Sequence, residues 1–180
     1  MLFEEKTLSV EEIYNGRMLK LEKQTVELPD GRQTTREVVK HPGAVAVMAV
    51  KENKVLLLKQ FRKAMDEVLI EVPAGKVEPG EDRIKTAGRE LIEETGLEAG
   101  QLEHLYDFYV SPGFCDELIS LYRADDLKES SQYEADADEF IELFWLPFDE
   151  IPRLLSSGEV RDAKTILSLQ WLLLNYNNSK

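Results

Sequence analysis

The sequence predicts an α+β domain, a mixed sheet sandwiched by helices, with an amino-terminal β-hairpin region set apart from it. Three observations lead there. Short apolar runs of strand length recur at 44–50, 55–58 and 68–72. Segments of helical character lie at about 82–95, 148–156 and 162–176. Their order along the chain is mixed rather than strictly alternating between strand and helix, which favours α+β over a doubly wound sheet.

Each element follows from local chemistry. Residues 18–28 alternate roughly with period two, Pro29-Asp30-Gly31 is a turn, and 34–39 resumes an extended pattern, so this segment reads as a hairpin. A lone hairpin is marginal in water and should pack on the main body or on a second subunit. The runs 44–50 and 55–58 are buried strands joined by the polar turn Lys51-Glu52-Asn53-Lys54. Residues 68–72 form another strand, stopped by Pro73-Ala74-Gly75. Gly96 is placed to end the helix that follows. Strands at 105–110 and 118–122 flank the loop Ser111-Pro112-Gly113-Phe114-Cys115-Asp116. An acidic loop precedes a strand at 140–146, and two helices close the chain. In the last one Ala163, Ile166, Leu167, Gln170, Trp171 and Leu174 share helical spacing, and Trp145 and Trp171 read as core.

Composition narrows the function. The 180 residues are 43% hydrophobic and 32% charged, an ordinary globular balance. With 35 acidic and 22 basic residues the net charge is −13. Phosphate backbones and anionic membranes repel such a chain, so neither nucleic acid nor membrane is expected as a partner. Cys115 has no second cysteine to pair with, which fits a reducing compartment. The apolar runs fall far short of the roughly 20 residues that span a bilayer. The first residues, Met1-Leu2-Phe3-Glu4-Glu5-Lys6, show no secretory pattern. A cytoplasmic location is the expectation.

The predicted helix at 82–95 carries the chemistry. At about 100° per residue, Ile84, Ala87, Leu91 and Thr95 share one face. Glu90, Glu93 and Glu94 crowd the face beside it, where like charges repel and oppose the helix dipole. A hard divalent cation with oxygen ligands removes that repulsion, and Mg²⁺ typically uses one or two carboxylates plus substrate phosphates. Arg89 can orient carboxylates through forked hydrogen bonds. A solvated acidic face is the plain alternative for an isolated pattern of this kind.

The pattern is longer than that. Gly75, Glu81, Arg89, Glu90, Leu91, Glu93, Glu94, Gly96 and Leu97 follow Gly-x5-Glu-x7-Arg-Glu-U-x-Glu-Glu-x-Gly-U, with U a bulky aliphatic residue. The stretch resembles the Nudix box at every position. Coincidence is on the order of 1 in 10⁸ per window. The resemblance implies a Nudix-type α/β/α sandwich at 41–180 that hydrolyses a nucleoside diphosphate linked to another group. It also implies Mg²⁺, as two or three ions with Mn²⁺ as a substitute. Metal ligands by matching position are Glu90, Glu94 and the Ala74 carbonyl. By position the resemblance implies that Glu93 is a helper at the catalytic centre, either a ligand or a residue behind the ligands, and that Glu81 supports the site rather than attacks.

The flanks are similar to bacterial ADP-ribose pyrophosphatases within that family. Pro112 stands fifteen positions after Leu97, and the likeness runs through Gly16-Arg17-Met18, Arg36, Lys59-Gln60-Phe61-Arg62 and Asp138-Glu139-Phe140-Ile141-Glu142. It implies cleavage of ADP-ribose to AMP and ribose 5-phosphate. Arg36 and Arg62 would contact phosphates or ribose, Ser111 and Glu117 the terminal ribose, and Arg17 and Met18 the adenine side. Glu139 would be a loop metal contact and the general base, with Asp138 and Asp136 behind it. Residues 1–40 would form a dimerisation region that exchanges between two subunits of a homodimer. The alternatives are a Nudix hydrolase of another nucleoside diphosphate sugar and a sensor that binds ADP-ribose without cutting it. The intact carboxylate set speaks against the sensor. His41 and His104 are lone histidines with no catalytic role assigned, and Cys115 has no base near it in sequence and is incidental.

Overall fold

Alternation and turn chemistry build the first sheet. The computed structural model describes residues 3–131 and 140–176. The chain falls into two units, Met1–Gly43 with Phe108–Ile119, and Ala44–Asp107 with Ser120–Lys180. In the first unit β1 (Lys6–Asn15), β2 (Lys20–Glu27) and β3 (Gln33–Lys40) form an antiparallel sheet in that order. β2 and β3 are the expected hairpin. The Leu28 N–H donates to the Arg32 carbonyl (2.7 Å) and Gly31 takes φ 84°, which suits a residue without Cβ.

β1 was not anticipated. All ten of its residues are exposed, and register shifts between Thr7 and Ser9 and between Glu12 and Tyr14 break its alternation. A strand with no buried face leaves no period in the sequence to find. In the same unit, a turn at 111–115 has the Phe114 and Cys115 N–H groups donating to the Ser111 carbonyl (3.1 and 2.9 Å). Val39 bridges to Cys115 in parallel.

The second unit holds β4 (Ala44–Lys51), β5 (Lys54–Arg62), β6 (Glu67–Glu71), β7 (Ala74–Lys76), α1 (Arg83–Thr95), β8 (Leu97–Glu98), β9 (Gln101–Tyr109), β10 (Leu118–Asp125), β11 (Lys128–Glu129), β12 (Ile141–Pro147), α2 (Ile151–Ser157) and α3 (Ala163–Tyr176). The last two residues of β9 and the first two of β10 are counted with the first unit. The main sheet runs β12-β5-β4-β10-β9, with β6 on β5 and β7 on β4. The turn between β4 and β5 is the expected one, with Glu52 and Asn53 at φ 50° and 58°. On β4, Val45, Val47 and Ala49 pack with Ala87 and Leu91 of α1, together with Leu56, Tyr122, Ala124 and Leu127. The alternate residues Ala46 and Met48 point to the opposite face and are buried too, so both faces of this strand are covered. α2 and α3 pack against each other.

The structure corrects several details. Pro73-Ala74-Gly75 does not simply stop a strand: Ala74–Lys76 pairs antiparallel with β4, Val45 opposite Gly75. On α1 the buried residues are Thr86, Ala87, Leu91 and Glu94. Ile84 is exposed, because polar bonds, not apolar contact, hold the start of this helix down. On α3 the buried face is Lys164, Thr165, Ser168, Leu169 and Leu172, while Ala163, Gln170 and Leu174 are exposed. Three of those five are polar and satisfied by hydrogen bonds, so a search for an apolar stripe picks the wrong side. Trp145 and Trp171 are half-buried, the latter under the Arg123 guanidinium (5.7 Å). The segment 148–156 begins as a 3₁₀ turn, Phe148–Glu150, before α2.

Candidate active site

The site is assembled on α1 and the short strand before it. Gly96 ends the helix in the left-handed conformation at φ 70°, its N–H donating to the Ile92 carbonyl (2.8 Å). The turns between 88 and 96 thus present Arg89, Glu90, Glu93 and Glu94 together.

Arg89 organises the acids. Its Nε donates to Glu81 Oε1 (3.0 Å) and its Nη2 to Glu81 Oε2 (2.9 Å), a fork closed on a carboxylate. Nη1 donates to Glu90 Oε1 (2.9 Å) and to Glu93 Oε2 (2.7 Å). Nη2 also reaches the Lys76 carbonyl (3.2 Å). One guanidinium therefore holds three carboxylates and ties α1 to β7. Thr86 adds a bond to Glu81 Oε2 (2.8 Å). The Arg89 fork, with Thr86 behind it and weak burial opposing, pulls the Glu81 pKa from 4.5 to about 2.

A carboxylate depressed in the folded state stabilises the fold above its unfolded pKa and loses that contribution as pH falls through the folded one. The stability advantage of the wild type over Glu81→Gln is therefore full above about pH 4.5 and fades toward pH 2. Thermal melts of both proteins across that range measure it. A gap that does not shrink on acidification contradicts the pairing.

Glu90 and Glu94 converge on the backbone of β7. Glu94 is buried, and its Oε2 accepts the Ala74 N–H (2.9 Å). Glu90 lies against Gly75 so closely that a Cβ there would stand 1.9 Å from its Cδ. The glycine is required for that approach. Two carboxylates thus meet the segment that carries the Ala74 carbonyl. An all-oxygen set of this kind fits a hard divalent cation such as Mg²⁺, which retains several waters of its own. Among the described residues no group of three or more His, Cys, Asp or Glu side chains is gathered as a metal cluster. The loop acids Glu134, Asp136, Asp138 and Glu139 lie outside the described residues. Glu142 is described and is held by Lys59 Nζ (2.8 Å).

Arg62 belongs to the same unit. Its Nε and Nη2 donate to Glu71 Oε1 and Oε2 (2.6 and 2.7 Å), and Lys164 also bonds Glu71. Burial opposes the charged form of Glu71, but Arg62 and Lys164 outweigh it and lower its pKa. The Glu71 hydrogen bond raises that of Arg62, and the Glu94 charge adds to it. Spacing gave no hint of Glu71 or Lys164. The available signal was a lone acid inside the apolar run 68–72.

The other candidates lie in the first unit. Arg17 and Met18 are exposed at the turn between β1 and β2, closed by the Gly16 N–H on the Leu19 carbonyl (3.0 Å). Arg36 forks onto Glu5 (3.0 and 2.6 Å). Ser111 carries the turn described above. Glu117 Oε1 is 3.6 Å from His41 Nδ1, which accepts the Gly43 N–H (3.1 Å). Asp116, which sequence reasoning passed over, bonds Lys40 and accepts the His41 N–H (2.8 Å).

A model of the NUDIX domain matches residues 39–169, and this span contains every carboxylate of the α1 site. The chain belongs to the NUDIX domain family. A model of the nucleoside diphosphate sugar hydrolase N-terminal domain matches residues 5–39, the first sheet. The Methanol dehydrogenase activator of Bacillus methanolicus is 47% identical to this chain, covering 96% of it and 95% of that protein. The ADP-ribose pyrophosphatase of Bacillus subtilis (strain 168) is 46% identical, covering 95% and 94%. The GDP-mannose pyrophosphatase of Cronobacter sakazakii is 37% identical, covering 77% and 81%. The crystal structure of an ADP compounds hydrolase superposes with a TM-score of 0.84 at 23% identity, covering 96% of each chain, which establishes the NUDIX chain's fold. No helix among the described residues is long and apolar enough to cross a membrane.

Proposed function

We propose that this NUDIX chain hydrolyses ADP-ribose to AMP and ribose 5-phosphate in a Mg²⁺-dependent reaction, with Mn²⁺ as a substitute ion. The observation that carries the reading is the convergence of Glu90 and Glu94 on Ala74 and Gly75. The 46% identity with an ADP-ribose pyrophosphatase over nearly the whole chain supports the choice of substrate. Glu90, Glu94, the Ala74 carbonyl and Glu139 would hold two or three ions. When bound, the metal neutralises diphosphate charge and makes water a better nucleophile at neutral pH.

The chain's own residues do the rest. Glu139 takes the proton from the attacking water, the water oxygen bonds to phosphorus, and the bridging P–O bond breaks. Glu93, held by Arg89, supports the site from α1. Arg62 binds the diphosphate. Arg36 contacts phosphate or ribose, Arg17 and Met18 recognise the adenine side, and Ser111 and Glu117 line the terminal ribose.

Product analysis after incubation with Mg²⁺ and a panel of nucleoside diphosphate sugars tests this. AMP and ribose 5-phosphate in equal amounts from ADP-ribose is the expected result. Faster cleavage of GDP-mannose would favour the second reading, a hydrolase of another sugar nucleotide, which the GDP-mannose pyrophosphatase relatives support. Binding of ADP-ribose without cleavage would leave the sensor. The relative called a Methanol dehydrogenase activator supports an added role on a dehydrogenase partner, tested by assaying such an enzyme with and without this chain.

We also read the protein as a cytoplasmic homodimer built through residues 1–40. β1 is an edge strand whose ten residues are all exposed, including Leu8, Val10, Ile13 and Tyr14. An uncovered apolar edge is a standing hazard, and a two-fold partner removes it. Arg17, Met18 and Arg36 would then act partly on the neighbouring subunit's substrate. Light scattering of the full chain at micromolar concentration should give a dimer mass, and Val10→Glu combined with Ile13→Glu should shift it to monomer with a raised KM. A monomeric wild type that keeps full activity on dilution contradicts the shared site.

A further inference from the structure

We infer that Glu71 and Lys164 are positioning residues for Arg62, a buried device that aims one guanidinium nitrogen at the substrate's diphosphate. This rests on the reading above of a nucleoside diphosphate hydrolase. The geometry carries the inference. Glu71 is 2% exposed, and both its oxygens are taken by the Nε and Nη2 edge of Arg62, whose own side chain is 36% exposed. A fork closed on a buried carboxylate fixes the guanidinium plane and leaves Nη1 as the nitrogen without a bond to Glu71. Arg62 also lies within the electrostatic reach of Glu94, one of the two α1 acids that meet β7.

Glu71 is itself fixed. Lys164 of α3 bonds its Oε2, and Lys164 is held in turn by Asp162 Oδ1 (3.0 Å). Thr165 bonds Asp162 Oδ2 (2.5 Å) and accepts the Val72 N–H (2.8 Å), two residues before Ala74. The start of α3 thereby anchors the strand that leads into the metal-ligand segment. Stability does not explain this arrangement. Replacing a buried ion pair with packed apolar residues is often neutral or stabilising, so a buried carboxylate between two cations is poor scaffolding. What such a cluster supplies is orientation, and the oriented group here is a cation on the open side of the cluster.

The test is a double-mutant cycle on ADP-ribose hydrolysis with saturating Mg²⁺. Glu71→Gln keeps the shape and removes the charge that fixes the fork. It should raise KM about tenfold with kcat within about threefold, since a ground-state contact to the diphosphate is loosened. Lys164→Met leaves the Arg62 fork intact and should raise KM by a smaller factor, about threefold. In an Arg62→Ala background both effects should vanish, because the residue they act through is gone. A KM rise that persists undiminished without Arg62, or a loss confined to kcat, overturns the positioning role. So does an unchanged KM in folded single variants. Should Glu71→Gln fail to fold by circular dichroism, Lys164→Met and Arg62→Ala complete the cycle alone. A wild type that cleaves no nucleoside diphosphate sugar overturns the functional reading and this inference with it. A wild type that cleaves, with additive variants, overturns the inference alone.

Discussion

Glu94→Gln and Glu90→Gln should each lower ADP-ribose turnover by about a hundredfold or more at limiting Mg²⁺, with the fold retained. Each change removes one unit of charge from the proposed ion site of hard oxygen donors, while the amide keeps nearly the same volume. Glu94→Gln is the sharper case. Its carboxylate is buried and accepts the Ala74 N–H, so the amide must turn its oxygen toward that N–H and a donor toward the ion. Gly75→Ala should mimic the loss of Glu90, because the new Cβ would stand 1.9 Å from the Glu90 carboxyl carbon and displace it. Steady-state rates over a Mg²⁺ titration, with circular dichroism as the control for folding, measure all three. Turnover near wild type in both carboxylate variants at limiting metal contradicts the ligand assignment.

Glu139→Gln should lower kcat by a factor of about 10²–10⁴ with a much smaller change in KM, the size expected for loss of a general base. Glu139 lies outside the described residues, and the expectation rests on its place in sequence before the strand that begins at Ile141. The nearby acids set the comparison. If Asp138→Asn or Asp136→Asn produces the larger loss of kcat, the base is that residue and not Glu139. Glu142 is a poor rival, since it is exposed and paired with Lys59.

Those parts of the protein whose information is local or strongly patterned are legible in the sequence alone. The strands β4 and β5 are continuous apolar runs because both faces are buried, and the turn between them is polar. The β2–β3 hairpin follows from alternation around a glycine turn. The family and the acidic face of α1 follow from side chains at fixed spacing, since a helix places residues three and four apart side by side. Features that depend on partners distant in the chain become visible only in the folded molecule. β1 has no buried face and hence no period, and β7 is a strand only because β4 supplies its pairing. The buried face of α3 is partly polar, and Lys164 can lie in it because the distant Glu71 satisfies it, a match that no count of apolar residues reveals. The fork of Arg62 on Glu71 spans nine residues and the single bond of Lys164 to Glu71 spans 93. Hydrophobic burial is written residue by residue and can be read that way, whereas a buried polar contact exists only once both partners have been brought together.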